Sequence, residues 1–294
     1  MPQLTIGMPV YNGEKTIVSA IESVLGQTFR DFVLLISDNA SSDRTPEICE
    51  NYSLIDPRVL YCRQPCNIGG SRNFQYVLDA ATTDLFTWWA ADDFRTPGFL
   101  EACVRHLALS PESICSTAVS VFGSDTPSQE ELCHAVALQL PRSKSNTPES
   151  RVLSFLDVCW HSHSIFYSVF RRSSVMHPSL FDSPDYLAKD WIWNLYLLSV
   201  GRVHFSDGET IFLGVHGVSN ARDTWRSHRS RKINWLLPFY QLSTASLFLS
   251  RNFKLNSRIR ILLWLFRLNI FGFKHQALTV IRSAIQAFLR RPHA

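Results

Sequence analysis

The sequence predicts an α/β fold in which a mostly parallel sheet is flanked by helices, and two observations support this prediction. Through the first hundred residues, short apolar runs typical of strands alternate with helical segments in the order β-α-β-α-β-α-β. Three of the predicted strands are followed by a polar cluster. Regularly spaced strands with a helix between each pair are joined by crossovers, so neighbouring strands should run parallel.

The predicted strands of this half are short and apolar, and they span residues 4–10, 32–36, 59–62 and 85–90. Helices are predicted between them, over residues 14–25, from residue 45 and from about residue 70. Gly26 is a plausible C-terminal cap of the first helix. Thr45-Pro46 and Thr96-Pro97 both combine a capping residue with a proline, so a further helix is predicted to begin at the second pair.

Polar side chains follow three of these strands at the point where each strand ends. The clusters are Tyr11-Asn12, Asp38-Asn39 and Asp92-Asp93. Because the carboxyl ends of parallel strands meet at one edge of a sheet, the clusters should converge on one crevice, where a nucleotide should bind. The chain has no GxGxxG motif after the first strand and no GxxxxGK[ST] motif, which excludes the usual dinucleotide-binding loop and a P-loop.

The acidic pair Asp92-Asp93 follows an apolar strand directly. Two carboxylates at this place suit a hard divalent cation such as Mg²⁺ or Mn²⁺, which prefers oxygen ligands and would in turn hold a phosphorylated ligand. The alternative is a turn at the end of a strand whose acids are solvated. The other two polar clusters at equivalent strand ends favour the cation site.

The second half of the chain is less regular. Strands are predicted over residues 114–122, 165–170, 201–205 and 210–215, and a helix over residues 191–200. Residues 125–150 are polar and contain three prolines, which is typical of a variable excursion.

The net charge of +4 hides a strong asymmetry between the two ends of the chain. Residues 221–294 carry fourteen Lys and Arg and one acid, Asp223, whereas residues 1–220 have a net charge of −9. Short apolar blocks with basic flanks suit helices that lie in a membrane interface. The alternative is a helical appendage packed on the preceding domain. Nucleic acid is disfavoured as the partner, because the basic residues alternate with bulky aliphatic residues. We therefore expect an α/β domain with the nucleotide-binding crevice over residues 1–220 and a basic helical region over 221–294.

The cellular location can also be predicted from the sequence. No apolar run approaches the roughly 20 residues needed to span a bilayer, and no secretory signal is visible. The seven cysteines form no paired framework, which suits a reducing cytosol. The expected location is the cytoplasm, at the inner face of the cell membrane.

Four short motifs occur at the ends of predicted strands or at the start of a helix. They are MPVYN at residues 8–12, SDNASSDRT at 37–45, NIGGSRN at 67–73 and WAADD at 89–93. Because the four motifs occur in this order and at this spacing, the chain resembles family 2 glycosyltransferases of the GT-A fold over about residues 3–220. The resemblance implies an enzyme that moves a sugar from a nucleotide-diphosphate donor to an acceptor hydroxyl, with inversion at the anomeric carbon.

The resemblance also implies roles for individual residues. Pro9 and Tyr11 would line the base pocket, and Asp38 would accept the N–H of a pyrimidine base, which favours UDP or dTDP as the donor nucleotide. The other implied positions are Arg72 near the nucleotide, Asp92 at the ribose or the metal, and Asp93 on the divalent cation. Many relatives carry an acid where this chain has Ala90, which leaves the division of roles within the pair open. The cation would stabilise the charge that develops on the diphosphate leaving group.

An inverting transfer needs a carboxylate that takes the acceptor proton on the face opposite the departing diphosphate. Asp190 matches the place of the family's base, with Asp182 and Asp185 as rivals. The alternative is that Asp190, an acid at the start of a helix, only stabilises the helix through its dipole. The resemblance further makes His216 a metal ligand, although a lone histidine at a strand end can be structural.

Four tryptophans, Trp88, Trp89, Trp191 and Trp193, could form a platform on which an acceptor sugar stacks. The alternative is that they belong to the core, which is favoured for Trp88 and Trp193. The acceptor itself is expected to be a glycan or a lipid-linked glycan, in the assembly of a surface polysaccharide.

Two other functions are compatible with this kind of sheet or with a basic C-terminal region. A nucleotidyltransferase shares this kind of sheet, but it should carry a basic, glycine-rich loop after the first strand, where this chain has Tyr-Asn-Gly-Glu. A catalytically degenerate, membrane-associated scaffold is the other alternative. Retention of Asp38, Asp92, Asp93 and a candidate base argues against it.

Overall fold

The computed structural model describes residues 2–122, 146–160, 163–175, 188–214 and 233–289. These residues form two compact units. The larger unit contains the described residues up to 175 together with residues 193–214, and it holds the sheet. The smaller unit contains residues 188–192 and 233–289 and is helical.

The described part of the larger unit contains one eight-stranded sheet, with strand order β3-β2-β1-β4-β7-β6-β8-β5. Its strands are β1 (Leu4–Val10), β2 (Phe32–Asp38), β3 (Val59–Arg63), β4 (Leu85–Trp88), β5 (Phe94–Arg95), β6 (Ser113–Phe122), β7 (Val169–Arg171) and β8 (Arg202–Leu213). Strands β3, β2, β1 and β4 run parallel, and β6 runs parallel to β8. Strand β7 is antiparallel to β4 and β6, and β5 is antiparallel to β8. The predicted α/β fold with a mostly parallel sheet is confirmed.

Among the described residues, helices alternate with these strands and then follow the last of them. They are α1 (Ile17–Leu25), α2 (Thr45–Ile55), α3 (Gly70–Asp79), α4 (Phe99–Leu109), α5 (Pro148–Val158), α6 (Lys189–Val200), α7 (Ile233–Leu236), α8 (Tyr240–Leu249) and α9 (Leu255–Leu289). The first predicted helix begins at Ile17 rather than Glu14, because Glu14 is held by the loop after β2. The Glu14 N–H donates to Asp43, and the Glu14 carboxylate accepts the N–H of Arg44.

The prediction of a helix beginning at Thr96-Pro97 is wrong by two residues. Helix α4 is preceded by Gly98, and the Thr96 hydroxyl donates to Glu209 while accepting the Thr210 N–H at 3.0 Å. Residues 94–95 form β5 on the edge of β8. The pairing with a strand more than a hundred residues away overrides the local capping signal.

Strand β8 is also longer than predicted. The two predicted strands at residues 201–205 and 210–215 are one strand, and Gly208 with φ +80° lies within it. A glycine adopts this left-handed conformation without steric cost, so the strand continues through it. The predicted strand at 165–170 is reduced to the three residues of β7.

The core of the larger unit lies on both faces of the sheet. On one face, the apolar sides of α1 and α4 share one cluster of buried side chains with β1 and β2, and α4 packs against β6 and β8. On the other face, Trp88 stacks on Phe166 at 4.8 Å between ring centroids and meets the edge of Trp193 at 4.8 Å. Trp88 and Trp193 are buried, which confirms the core interpretation favoured for them, and Trp89 and Trp191 are buried as well.

Helices α8 and α9 pack together in the smaller unit. The Asn269 amide of α9 accepts the Phe239 N–H at 3.0 Å and donates to the Ser243 hydroxyl at 3.0 Å. Gly272 lies against Pro238 and Phe239, where a side chain would collide with the Phe239 ring. Within the described ranges, no helix has both the length and the apolar content required to cross a bilayer.

Candidate functional site

The structure brings the three polar clusters to one edge of the sheet, because β1 lies between β2 and β4 and all three run parallel. Val10 pairs with Asp38 at the end of β1 and β2. The Asn39 N–H donates to the Val10 carbonyl at 2.8 Å, and the Trp89 N–H donates to the Gly7 carbonyl at 2.9 Å. The loops after these strands therefore start side by side.

The loops after β1 and β2 are bound to each other. The Asn12 N–H donates to the Ser41 hydroxyl at 2.8 Å, and the Asn12 side-chain oxygen accepts the Ser42 N–H at 2.9 Å. Asn12 and Ala40 both have positive φ angles, of 51° and 60°, so both loops turn sharply. These turns leave Tyr11 with 51% of its surface exposed beside the strand ends, whereas Pro9 is buried within β1.

The Asp38 carboxylate is fully buried, and described neighbours hold both of its oxygens. One oxygen accepts the Ser41 N–H at 2.9 Å, and the other accepts the Tyr61 hydroxyl at 3.0 Å. The Arg63 Nε lies 3.6 Å from the second oxygen, and Arg63 also donates to the Ser41 carbonyl at 2.8 Å. Burial and the bond to Asp38 raise the pKa of Tyr61, so its hydroxyl remains a donor.

Arg63 is the exposed member of this cluster, with half of its side-chain surface accessible. Sequence reasoning missed it, because the chain around the end of β3 carries no motif. The available signal was a basic residue at the carboxyl end of a strand, beside two of the polar clusters.

The segment NIGGSRN is tied to β2 by its two asparagines. Asn67 accepts the Asn39 amide at 3.0 Å, and Asn39 in turn accepts the Ile68 N–H at 2.8 Å. Asn73 in α3 accepts the Ser37 hydroxyl at 2.6 Å and donates to the Ser37 carbonyl at 2.8 Å. These bonds fix the start of α3, whose first turn carries the exposed Arg72.

The acidic pair lies in a tight turn after β4. The Asp93 N–H donates to the Ala90 carbonyl at 3.1 Å, and the Trp89 indole N–H donates to the Asp93 carbonyl at 3.0 Å. Only 3% of the Asp93 surface is exposed, whereas Asp92 is partly exposed. The Asp93 Oδ1 accepts the Gly214 N–H at 2.9 Å. The buried Asp93 Oδ2 has no hydrogen-bond partner within the part of the chain that the structure describes.

The electrostatics of Asp93 follow from this burial. Burial raises the pKa of Asp93 to about 7, and the neighbouring Asp92 charge adds to the increase. The Gly214 N–H and the Arg95 guanidinium act in the opposite direction. Arg95 is itself buried, which lowers its pKa to about 10, and it donates to Thr87 at 3.2 Å while lying 4.0 Å from the Trp89 ring centroid. A buried cation therefore lies close to the acidic turn.

Gly214 is a second site residue that sequence reasoning missed. A Cβ atom at this position would lie 2.5 Å from the Asp92 carbonyl oxygen, closer than real Cβ atoms approach, and it would also collide with the Asp92 carboxylate. The end of β8 therefore reaches the acidic turn only because residue 214 is glycine. The signal was a glycine near the end of the strand predicted over residues 210–215, two residues before His216.

The residues present fit a hard divalent cation. A carboxylate oxygen that is buried and without a hydrogen-bond partner is costly unless a ligand compensates for it, and carboxylate oxygens are preferred ligands of Mg²⁺ and Mn²⁺. Asp92 and Asp93 could both contribute. Within the described ranges, no group of three or more His, Cys, Asp or Glu side chains surrounds one point. Such a cation commonly completes its shell with water and substrate phosphates.

The remaining predicted site residues belong to the second half of the chain. Asp190 is in the first turn of α6 and is partly exposed, and it belongs to the smaller unit. Its role as the base stays a prediction. Asp182, Asp185 and His216 lie outside the described residues.

Several known proteins are similar to this chain in sequence. The putative glycosyltransferase EpsE of Bacillus subtilis is 30% identical over 107 residues. The GalNAc(5)-diNAcBac-PP-undecaprenol beta-1,3-glucosyltransferase of Campylobacter jejuni is 30% identical over 106 residues. Each match covers 36% of this chain, and they cover 38% and 34% of the two relatives, so the similarity spans little more than a third of their length.

Solved structures match over more of the chain. TarS 1-349 of S. aureus in complex with UDP has a TM-score of 0.59 at 17% identity, covering 88% of this chain and 68% of that TarS fragment. The mannosyltransferase PcManGT of Pyrobaculum calidifontis, in complex with GDP-Man and Mn²⁺, has a TM-score of 0.58 at 15% identity, covering 97% and 75%. These similarities show that the fold is the GT-A fold. The profile of Glycosyl transferase family 2 matches residues 5–175, more than half of the chain, and the chain therefore belongs to this family.

Proposed function

We propose that this protein is an inverting glycosyltransferase that moves a sugar from a nucleotide-diphosphate donor to a hydroxyl of a glycan or lipid-linked acceptor. One observation carries the proposal: Asp93 is buried beside Asp92 at the edge where three parallel strands end, and its Oδ2 has no hydrogen-bond partner among the described residues. A buried acid of this kind suits a cation that holds a diphosphate. Membership of the family supports the same function.

Asp92 and Asp93 would hold the divalent cation, which when bound would stabilise the negative charge on the diphosphate leaving group. Tyr11 directly after β1, Arg63 at the end of β3 and Arg72 in the first turn of α3 are all exposed, and we assign them to the nucleotide. The Asp38 carboxylate fixes Tyr61 and Arg63, so we propose that it contributes to the base pocket through them as well as through any direct contact.

Asp190 is the proposed general base. In an inverting transfer, the acceptor oxygen forms a bond to the anomeric carbon as the bond from that carbon to the diphosphate oxygen breaks. The base takes the acceptor proton, and the diphosphate leaves on the opposite face of the sugar. Asp190 is partly exposed, so burial does not prevent it from acting as a base.

The similar proteins support a donor class. TarS has been solved with UDP and with UDP-GlcNAc, and PcManGT with GDP-Man. We propose UDP or dTDP as the donor nucleotide, and GDP is the competitor to test. The Campylobacter relative's name specifies a PP-undecaprenol substrate, which supports a lipid-linked acceptor and a role in surface polysaccharide assembly.

The first experiment is thermal unfolding with a panel of nucleotides, with and without Mn²⁺. We expect a shift of unfolding temperature with UDP or dTDP that requires Mn²⁺ and is lost in Asp93→Ala. Asp31→Ala is the matched control, because Asp31 is an exposed aspartate of the same unit. Stabilisation by GDP alone would contradict the pyrimidine assignment, and no shift with any nucleotide would favour the degenerate scaffold.

The second experiment tests the reaction and the base. Asp190→Asn should retain the nucleotide-dependent shift while turnover falls at least about a hundredfold, in the range of general-base catalysis. NMR of the product should show inversion at the anomeric carbon. Unchanged turnover would move the base to Asp182 or Asp185, and release of pyrophosphate in place of a nucleoside diphosphate would indicate a nucleotidyltransferase.

A further inference from the structure

Helix α9 carries large apolar side chains that are exposed among the residues that the structure describes. We use the name exposed stripe for six of them that follow helical spacing: Leu255, Ile259, Leu262, Phe266, Ile270 and Phe273. Their exposed fractions run from 39% to 70%. Positions spaced by three, four and seven residues fall on one side of a helix, so the stripe extends over about five turns, or about 27 Å.

The exposed stripe is separate from the face that α9 buries. Ile261, Leu265 and Leu268 are buried, and Gly272 lies against Pro238. On an ideal helix these positions lie about a quarter of a turn or more from the centre line of the stripe. The helix therefore has one apolar face satisfied by packing and a second apolar face that is left in contact with water.

Basic side chains border the exposed stripe. Arg260, Arg267 and Lys274 are exposed and recur every seven residues along one border, and the exposed Arg258 lies at the other border. The sequence contains no Asp or Glu after Asp223. Helix α9 therefore combines an exposed apolar surface with positive charge that no acid of its own segment neutralises.

This combination identifies the kind of partner. Two copies of the chain that met through the exposed stripe would bring their arginine rows together without acids to pair with them, and like charges at close range are destabilising. A nucleic acid would leave the Leu, Ile and Phe side chains in water. An anionic phospholipid surface satisfies both features, because headgroups pair with the basic residues while the apolar side chains enter the acyl boundary.

We propose that the exposed stripe of α9 binds in the interface of an anionic phospholipid membrane, with the flanking arginines and lysine on the headgroups. The orientation is along the surface, as for an amphipathic helix with one polar border on each side. The proposal does not depend on the proposed function. If both hold, the enzyme is recruited to the surface at which a lipid-linked acceptor is presented.

The experiment is flotation of the full chain with vesicles of phosphatidylcholine, alone or mixed with phosphatidylglycerol. We expect binding to the mixed vesicles, weaker binding to pure phosphatidylcholine, and release at high salt. Leu262→Glu/Phe266→Glu should reduce binding at least about tenfold. Leu54→Glu/Ile55→Glu in α2 is the matched control, because both residues are at least 80% exposed, and it should bind as the unmodified chain does.

A second variant tests the charges without adding any to the apolar surface. Arg260→Gln/Arg267→Gln should weaken binding to the mixed vesicles by about fivefold for each charge removed and reduce the effect of salt. Equal binding by the stripe variant and the control would overturn the proposal. So would a chain that dimerises without vesicles and becomes monomeric in Leu262→Glu/Phe266→Glu, because the stripe would then bind a second copy.

The nucleotide-dependent unfolding shift separates this proposal from the proposed function. The stripe variant should retain the shift seen with the unmodified chain, which also shows that it folds. Lost vesicle binding with an intact shift supports the membrane surface. Vesicle binding that persists in the stripe variant refutes it, whatever the nucleotide result.

Discussion

Two buried aspartates lie at the same edge of the sheet, and they differ in how their carboxylates are satisfied. Asp38 after β2 accepts the Ser41 N–H and the Tyr61 hydroxyl and lies beside Arg63. Asp93 after β4 accepts the Gly214 N–H at one oxygen, and its other oxygen has no hydrogen-bond partner in the described part of the chain. The first arrangement stabilises the fold without a ligand, whereas the second carries a desolvation cost that a cation would offset. Burial alone therefore does not distinguish a structural acid from a ligand, but the number of partners does.

The largest change in the free energy of unfolding should come from removing the Asp38 carboxylate, whose oxygens both have partners. Asp38→Ala leaves the Ser41 N–H and the Tyr61 hydroxyl without their acceptor and Arg63 without its counter-ion, so we expect a loss of about 3–5 kcal/mol in the free energy of unfolding. Urea denaturation measures it. Asp56→Ala is the control, because Asp56 pairs with Arg58 at 2.7 Å near the surface and should cost about 1 kcal/mol or less. Equal losses in the two variants would contradict the structural role of Asp38.

Replacing Asp93 should instead increase the free energy of unfolding when no metal is present. Its pKa of about 7 lies above the value of an unfolded chain, so the folded state binds the extra proton between these two values. The stability that this proton contributes is complete at low pH and is lost as the pH rises through about 7. Asp93→Asn, which keeps an acceptor for Gly214, should therefore be more stable than the unmodified chain at about pH 8, by on the order of 2–4 kcal/mol, and similar at about pH 4.

Bound metal should make the unmodified chain more stable than Asp93→Asn. Saturating Mn²⁺ with the donor nucleotide should stabilise the unmodified chain and leave Asp93→Asn unchanged, because only the ionised carboxylate is a strong ligand. Urea denaturation with EDTA or with Mn²⁺ and nucleotide compares the two states. A variant that is less stable than the unmodified chain at every pH would show that the uncompensated oxygen has a partner after all.

Gly214 offers a smaller perturbation of the same turn. Gly214→Ala forces the end of β8 away from the Asp92 carbonyl, which should cost about 1–3 kcal/mol and weaken Mn²⁺-dependent nucleotide binding because the Asp93 Oδ1 loses its fixed donor. Gly70→Ala is the control, since a Cβ at residue 70 meets no atom within 4 Å. Calorimetric titration with Mn²⁺ and nucleotide measures the affinity. Undiminished affinity in Gly214→Ala would mean that the strand end does not position Asp93.

The same comparison shows what the sequence could predict. The elements of the first hundred residues follow from apolar runs and helix signals, and the convergence of the polar clusters follows from parallel strands. The partners of the two aspartates could not be predicted. Tyr61 and Arg63 come from β3, and Gly214 comes from the end of β8, so each depends on sheet pairing that no local pattern encodes. Thr96 fails as a cap for the same reason, because its hydroxyl is taken by Glu209 and Thr210 of β8.

The smallest effect concerns one hydrogen bond of the satisfied site. Tyr61→Phe removes the hydroxyl that donates to the Asp38 Oδ2, while the Ser41 N–H and Arg63 remain, so we expect a loss of about 1 kcal/mol in the free energy of unfolding. The raised pKa of Tyr61 keeps the hydroxyl protonated, so the loss should not change through the neutral range. Tyr52→Phe is the matched control, because its hydroxyl donates to Glu22 at the exposed surface and should cost about 0.5 kcal/mol or less.

A loss near that of the control would mean that Arg63 moves to replace the Tyr61 donor. Arg63 would then be drawn away from the solvent side of the proposed base pocket, and nucleotide affinity should fall although the fold is intact. A loss of about 1 kcal/mol with unchanged nucleotide affinity would instead show that Tyr61 acts on the fold alone. Urea denaturation and nucleotide titration of Tyr61→Phe together therefore decide whether the internal bonds of Asp38 serve only the stability of the sheet edge or also hold Arg63 in place for the ligand.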